Sequence, residues 1–151
     1  MAGLAAKIQD DMKAALLGGN RFEGDTLRNL KAAILNEEVA QGKRDVGLED
    51  SEVEKIIARE VKKRRESIKL YQENNRPELA EPEQKEIAVL EKYLPQMMNE
   101  QETAVLIDEV VAGMGDVTMQ QMGQVIGAVK AKAGNAADGA LVARLVKEKL
   151  Q

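Results

Sequence analysis

A chain of 151 residues with net charge −4 and 32% charged side chains fits one domain or two small ones. It has no cysteine and no histidine, which excludes disulfides, zinc fingers, thiol nucleophiles, imidazole bases and most transition-metal sites. Phe22, Tyr71 and Tyr93 are the only aromatic residues and no stretch alternates with a period of two, so the core must be built by packing helices rich in Leu, Ile, Val, Ala and Met.

Residues 3–17 read as a first amphipathic helix, with Leu4, Ile8, Met12 and Ala15 or Leu16 on one side and Gly18-Gly19-Asn20 as its break. Asp25 or Thr26 is placed to cap a second helix, with Leu27, Leu30, Ala33, Ile34 and Leu35 inward and Gly42 as its stop. Ser51 and Glu54 have capping-box spacing for a third helix that runs to about Glu73 and is the longest in the chain. Its apolar positions are Val53, Ile57, Val61, Ile68 and Tyr71, and Arg64 fills the gap in that seam. Such an arginine is expected to lay its stem along apolar surface and pair its head with Glu60 or with carboxylates further along the chain. The run Lys62-Lys63-Arg64-Arg65 turns through about 100° per residue, so it cannot form one flat patch and reads as a solvated helix face.

Asn74-Asn75-Arg76-Pro77 reads as a turn. A fourth helix is expected from near Glu81, with Pro82 at its first position, Ile87, Leu90 and Leu94 inward, and Pro95 at its end. The Tyr93-Leu94-Pro95 turn divides the chain into residues 1–95, an amino-terminal helical domain, and residues 96–151, a carboxy-terminal three-helix domain. In the latter, Asn99 and Glu102 start a helix whose inner stripe is Leu106, Val110 and Met114, with Gly113 or Gly115 as the stop.

The last 34 residues read as a helical hairpin. Thr118 and Gln121 form a capping box, with Val117 and Met122 as its hydrophobic staple. Met119, Met122, Ile126, Val129 and Ala133 share one face, and Gly134 ends the helix. Asp138 caps the final helix, whose apolar face is Leu141, Val142, Leu145, Val146 and Leu150. Gly123, Gly127 and Ala131 make a small-residue stripe, which in a globular chain reads first as a place of tight packing. The fold class is therefore all-α, with about four helices followed by a three-helix bundle.

Charge is unevenly spread. Residues 77–118 carry two basic and ten acidic side chains, whereas residues 119–151 carry five basic and two acidic ones. The overall acidity argues against strong non-specific nucleic-acid binding, but it leaves room for a local basic contact. Little covalent chemistry is within reach. Ser51 and Ser67 are the only serines; the first is best used as a helix cap, and the second sits mid-helix beside Glu66, so no activated nucleophile is readable. Glu37-Glu38 and Asp108-Glu109 are adjacent on helices and point apart. No glycine-rich turn follows a strand, and no loop has metal-ligand spacing. No catalytic residue, metal or cofactor is assigned.

Four runs, TLRNLKAAILNEEV (26–39), VKKRRESIKLY (61–71), EIAVLEKYLP (86–95) and MGQVIGAVKAKAGNAADGALVARLVKEKL (122–150), resemble the GatB/YqeY family, in particular its free-standing YqeY-like members. The last run is similar to the tail domain of the B subunit of the glutamine-dependent aspartyl/glutamyl-tRNA amidotransferase. The resemblance implies an all-α protein whose carboxy-terminal bundle contacts tRNA, while amide transfer is carried out elsewhere. Two departures stand out. The family commonly has a basic residue after the glycine of the inter-helix loop, where this chain reads Gly134-Asn135-Ala136-Ala137-Asp138, so one expected phosphate contact is absent. Pro82 stands where a helix-compatible charged residue is more usual, which implies a shortened or kinked fourth helix.

Charge and resemblance together nominate Lys130, Lys132, Asn135, Arg144 and Lys147, with the loop amides at the start of the last helix, as contacts to tRNA phosphates. The implied partners are tRNA and an amidotransferase or aminoacyl-tRNA synthetase. The alternative is a protein–protein interaction module docking through Gly123, Gly127 and Ala131 or through Met119 and Met122. MAGLAAKIQDDM lacks the features of a secretory signal and no segment approaches about 20 apolar residues, so a cytoplasmic protein without a membrane partner is expected.

Overall fold

The computed structural model describes residues 3–151; Met1 and Ala2, with which the expected first domain begins, lie outside the described residues. Among the described residues there are seven α-helices and no strands, an all-α protein. They fall into two compact units, the first ending at Leu94 and the second spanning Pro95–Gln151.

The first unit holds α1 (Leu4–Leu17), α2 (Arg21–Ala40), α3 (Asp50–Glu73) and α4 (Pro77–Glu91). α1 ends where the glycines dictate, but α2 begins earlier than Asp25 or Thr26 would place it. Asn20 is the cap: its side chain accepts the Glu23 N–H at 3.2 Å and donates to the Glu23 carboxylate at 2.8 Å. The first of these bonds satisfies a first-turn N–H, and the second holds the cap in place, well upstream of the expected start. Thr26 is instead buried inside the helix, its hydroxyl donating back to the Phe22 carbonyl at 2.9 Å. The early start puts Gly24 against α1, and a Cβ there would stand 2.4 Å from Leu16 Cδ2. Only glycine lets the two helices come this close.

Leu27, Leu30 and Ile34 of α2 are buried as expected, while Leu35 is exposed. They join Ile8 of α1, Val53, Ile56, Ile57 and Val61 of α3, and Ile87, Val89 and Leu90 of α4 in one core. Each such side chain contributes about 1.5–3 kcal/mol of apolar burial. The cap of α3 is Glu49, not Ser51. Its backbone N–H is taken by the Glu52 carboxylate at 3.0 Å, a register set two residues earlier. Asp50, the first residue of α3, also accepts the Leu4 N–H at 2.8 Å, which ties the start of α1 to the start of α3.

α4 departs most from expectation. It begins at Pro77, whose missing N–H costs nothing at a first helical position, and it runs on through Pro82 instead of starting there. Pro82 gives up a backbone hydrogen bond to the Glu78 carbonyl, and the helix persists because α4 packs along α3, with Ala80 already buried ahead of the proline. The fourth helix is therefore not shortened.

The second unit packs α5 (Glu100–Met114), α6 (Met122–Ala133) and α7 (Gly139–Leu150) around Ile107, Val110, Val125, Val129, Val142 and Val146. Asn99 caps α5 by accepting the Glu102 N–H at 2.8 Å. The inner stripe of α5 is Thr103, Ile107 and Val110 rather than Leu106, Val110 and Met114. Leu106 is only partly covered, and Met114 is exposed. Thr103 can be fully buried because its hydroxyl donates to the Asn99 carbonyl at 2.7 Å. The Thr118–Gln121 capping box is present, with the Thr118 N–H donating to Gln121 at 3.0 Å. It opens a short 3-10 turn, Met119–Gln121, that leads into α6. Val125 and Val129 form the buried face of α6, with Met122 and Ile126 at its border and Met119 exposed.

Candidate nucleic-acid interface

The loop between α6 and α7 is built from three local decisions. Gly134 adopts φ +59°, which an L side chain rarely takes, and so turns the chain out of α6. A 3-10 turn, Gly134–Ala136, follows, and its Ala136 carbonyl accepts the Met98 N–H at 2.8 Å, fastening the loop to the segment before α5. Asp138 then caps α7, its Oδ1 accepting from Ala140 N–H at 2.9 Å and Leu141 N–H at 3.4 Å. These amides, nominated from sequence as phosphate donors, already serve the chain's own carboxylate.

The five nominated polar residues do not form one patch. Lys130 leans over the first turn of α7, its Nζ 3.4 Å from where a Cβ on Gly139 would stand. Lys132 is exposed but lies about 200° further around α6. Asn135 is half-buried in the loop and has a partner of its own. Arg144 and Lys147 share the outer face of α7, one turn apart. Arg144 is engaged, with Nη2 at 3.2 Å from Glu100 and Nη1 at 3.2 Å from Glu148. Hydrogen bonding to Glu100, and then to Glu148, holds its guanidinium above the ordinary arginine value. Lys149, not nominated, is paired with Asp108 at 2.9 Å. Lys130, Lys132 and Lys147 have no ion pair among the described residues.

Among the described residues, the small-residue stripe is not a packing seam of the second unit. Gly123, Gly127 and Ala131 are all exposed, on the side of α6 opposite Val125 and Val129. A Cβ built at Gly123 or Gly127 would meet nothing within 4 Å. Helix-interior glycine costs about 1 kcal/mol relative to alanine, and here no neighbour requires it. Lys130, three residues from Gly127 and seven from Gly123, falls at the edge of the same strip. Sequence reasoning finds the stripe, but its first reading as a place of tight packing does not hold, because Val125 and Val129 turn the opposite side of α6 to the core.

Other hollows suit an anion less. An open hollow of about 820 Å³ in the first unit is lined by Asp10, Asp11, Asp50 and Glu54 along with Lys7 and Tyr93. Among the described residues four carboxylates and one lysine line it, a balance that disfavours a phosphate. Among the described residues no group of three or more acidic side chains is placed to hold a metal ion, and no helix is long and apolar enough to cross a membrane.

A family model described as Yqey-like protein matches residues 5–150. Similar proteins carry the name altered inheritance of mitochondria protein 41, mitochondrial. That of Clavispora lusitaniae is 31% identical over 91 residues, covering 60% of this chain and 51% of the relative. That of Lachancea thermotolerans is 31% identical over 93 residues, covering 61% and 48%. The Eremothecium gossypii protein is 33% identical over 89 residues, covering 59% and 48%. The chain spans about half the length of these curated relatives. With the family match running almost end to end over an all-helical chain, this protein belongs to the Yqey-like family.

Proposed function

We propose that the protein is a non-catalytic accessory factor that contacts tRNA through the outer face of its second unit, and that it works beside an amidotransferase or an aminoacyl-tRNA synthetase. The observation that carries this reading is the Cβ-free strip Gly123/Gly127 at the centre of the solvent face of α6, with the unpaired Lys130 at its edge. A phosphodiester backbone can lie against a helix at such a strip. Lys130, Lys132 and Lys147 then supply salt-dependent affinity, and Asn135 a polar contact. Arg144 takes part only by exchanging Glu100 or Glu148 for a phosphate. A mobility-shift titration with total tRNA at low salt tests the reading, and absence of binding at about 10–100 µM protein, the range of weak non-specific contacts, rejects it.

The same strip, with the exposed Met119 near its start, also supports docking of a protein helix. Affinity capture with and without nuclease separates the two: a partner that survives nuclease favours protein docking, and one that disappears favours tRNA. A cytoplasmic location belongs to the same proposal, although the relatives' names place those proteins in mitochondria. Cell fractionation decides it.

A further inference from the structure

The first unit carries a second electropositive feature that emerges only when the partners of each cation on α3 are known. Arg64 points inward and is held by Glu60 and Glu86; Lys63 pairs with Glu60, and Arg65 with Glu91. The remaining exposed cations of the first four turns are Lys55, Arg59 and Lys62, spaced i, i+4 and i+7. That spacing places them on one straight ridge, on the side of α3 opposite Val53, Ile57 and Val61. Their Cα atoms step along the axis by about 6 and then 4.5 Å. None of the three has an ion pair among the described residues, although the field of Lys55 reaches Glu52. Exposed Ala58 lies beside the ridge and leaves it unobstructed, and Glu66, one turn past Lys62, is the carboxylate that ends it.

We infer that the Lys55–Arg59–Lys62 ridge of α3 is a phosphate-backbone contact for RNA, separate from the outer face of α6 and α7. Three long, unpaired cations in file along a rigid helix match a polymer with charges in file, and their flexible stems let each head find a phosphate. A free phosphate or a single carboxylate would use only one of them. The inference rests on the tRNA reading only in naming RNA as the polymer.

The test uses the full chain, total tRNA and fluorescence anisotropy between about 50 and 200 mM salt, comparing wild type with K55Q/R59Q/K62Q and with K130Q/K132Q/K147Q. With three phosphate-neutralising cations removed, the magnitude of the slope of log K against log salt falls by about 2 to 3 in the ridge variant, and its low-salt affinity drops about tenfold or more. K55R/K62R retains the wild-type slope. The thermal midpoint of the ridge variant, measured alongside, stays close to wild type because all three side chains are solvated. An unchanged slope and affinity in the ridge variant overturns the inference, as does failure of the wild type to bind tRNA at all. Weakened binding in the ridge variant with no change in K130Q/K132Q/K147Q upholds the ridge and removes the second-unit reading; the reverse result removes the ridge alone. Ridge-dependent binding to phosphatidylserine vesicles without binding to tRNA overturns the assignment to RNA.

Discussion

Tyr93 and Asp11 stand 82 positions apart in sequence, yet the Tyr93 hydroxyl donates to the Asp11 carboxylate at 2.6 Å. The bond clamps the segment after α4 onto α1, and Lys7 sits over the same ring, 5.7 Å from its centre. Burial, followed by the hydrogen bond to Asp11, pushes the phenol well above its usual range, so Tyr93 stays protonated in the folded chain.

The sign of the resulting pH dependence follows from that shift. Above pH 10.0, the reference value for tyrosine, the unfolded chain releases a proton that the folded chain keeps. The stability due to this group is therefore complete below that pH and is lost as pH rises beyond it. Urea midpoints measured from pH 8 upward should fall on the alkaline side for wild type and fall less for Tyr93→Phe. At neutral pH the substitution should cost about 1 kcal/mol, since water can still reach Asp11.

Arg64 is the least exposed of the ion-paired cations among the described residues. Its side chain is 14% exposed, and Nε lies 2.6 Å from Glu86 and Nη1 3.0 Å from Glu60. Burial opposes its charge, but the hydrogen bonds to Glu86 and Glu60 outweigh burial and keep the guanidinium above its ordinary value. Arg64→Ala should destabilise the first unit by about 2–3 kcal/mol in chemical denaturation, because two half-buried carboxylates lose their partner. Adding Glu60→Gln and Glu86→Gln should recover part of that loss. Full additivity of the three substitutions would show that no network exists.

Two glycines should respond in opposite directions to alanine. Gly24→Ala drives a Cβ into Leu16 and should cost about 1–3 kcal/mol, with Leu16→Ala reducing the penalty in a double-mutant cycle. Gly127→Ala meets open space and should raise the thermal midpoint, a gain of up to about 1 kcal/mol. On the tRNA reading the more stable variant binds RNA more weakly, and that pairing of outcomes separates a functional strip from an incidental one.

Pro82→Ala should restore the N–H that the interior of α4 lacks. An interior proline costs about 3 kcal/mol in an unconstrained helix, and the freer unfolded chain gives some of that back. A net gain of about 1–2 kcal/mol is expected, measured by denaturant midpoint. No gain would mean that α4 bends to spare the carbonyl of Glu78.

Much of this architecture is legible from caps and breakers. Gly18-Gly19, the Asn99 and Glu102 pair, Thr118 with Gln121, and Gly134 before Asp138 each punctuate the chain where the sequence suggests. Helix starts escape sequence reasoning where more than one nearby residue can cap or open the helix. Asn20 competes with Asp25, Glu49 with Ser51, and Pro77 with Pro82, and the choice falls to packing between helices. The inner face of α5 is obscured for a related reason. Val105, Leu106, Ile107, Val110 and Val111 surround the helix with apolar side chains, so no single stripe stands out until α6 and α7 are in place. The pairing of Arg64 is readable, because an arginine in an apolar seam has few alternatives. The ridge on α3 is not, since adjacent lysines and arginines look alike until their carboxylate partners are known.

The fastening between Met98 and Ala136 joins main chain to main chain. Replacing a side chain leaves it intact, proline at position 98 aside, so the path of the α6–α7 loop is insulated from what its residues display. The loop can thus exchange its chemistry without redrawing its course. A lysine or arginine placed at the exposed Ala140, just past the loop, would leave that fastening untouched, which makes this stretch the natural dial for tuning attraction to a polyanion.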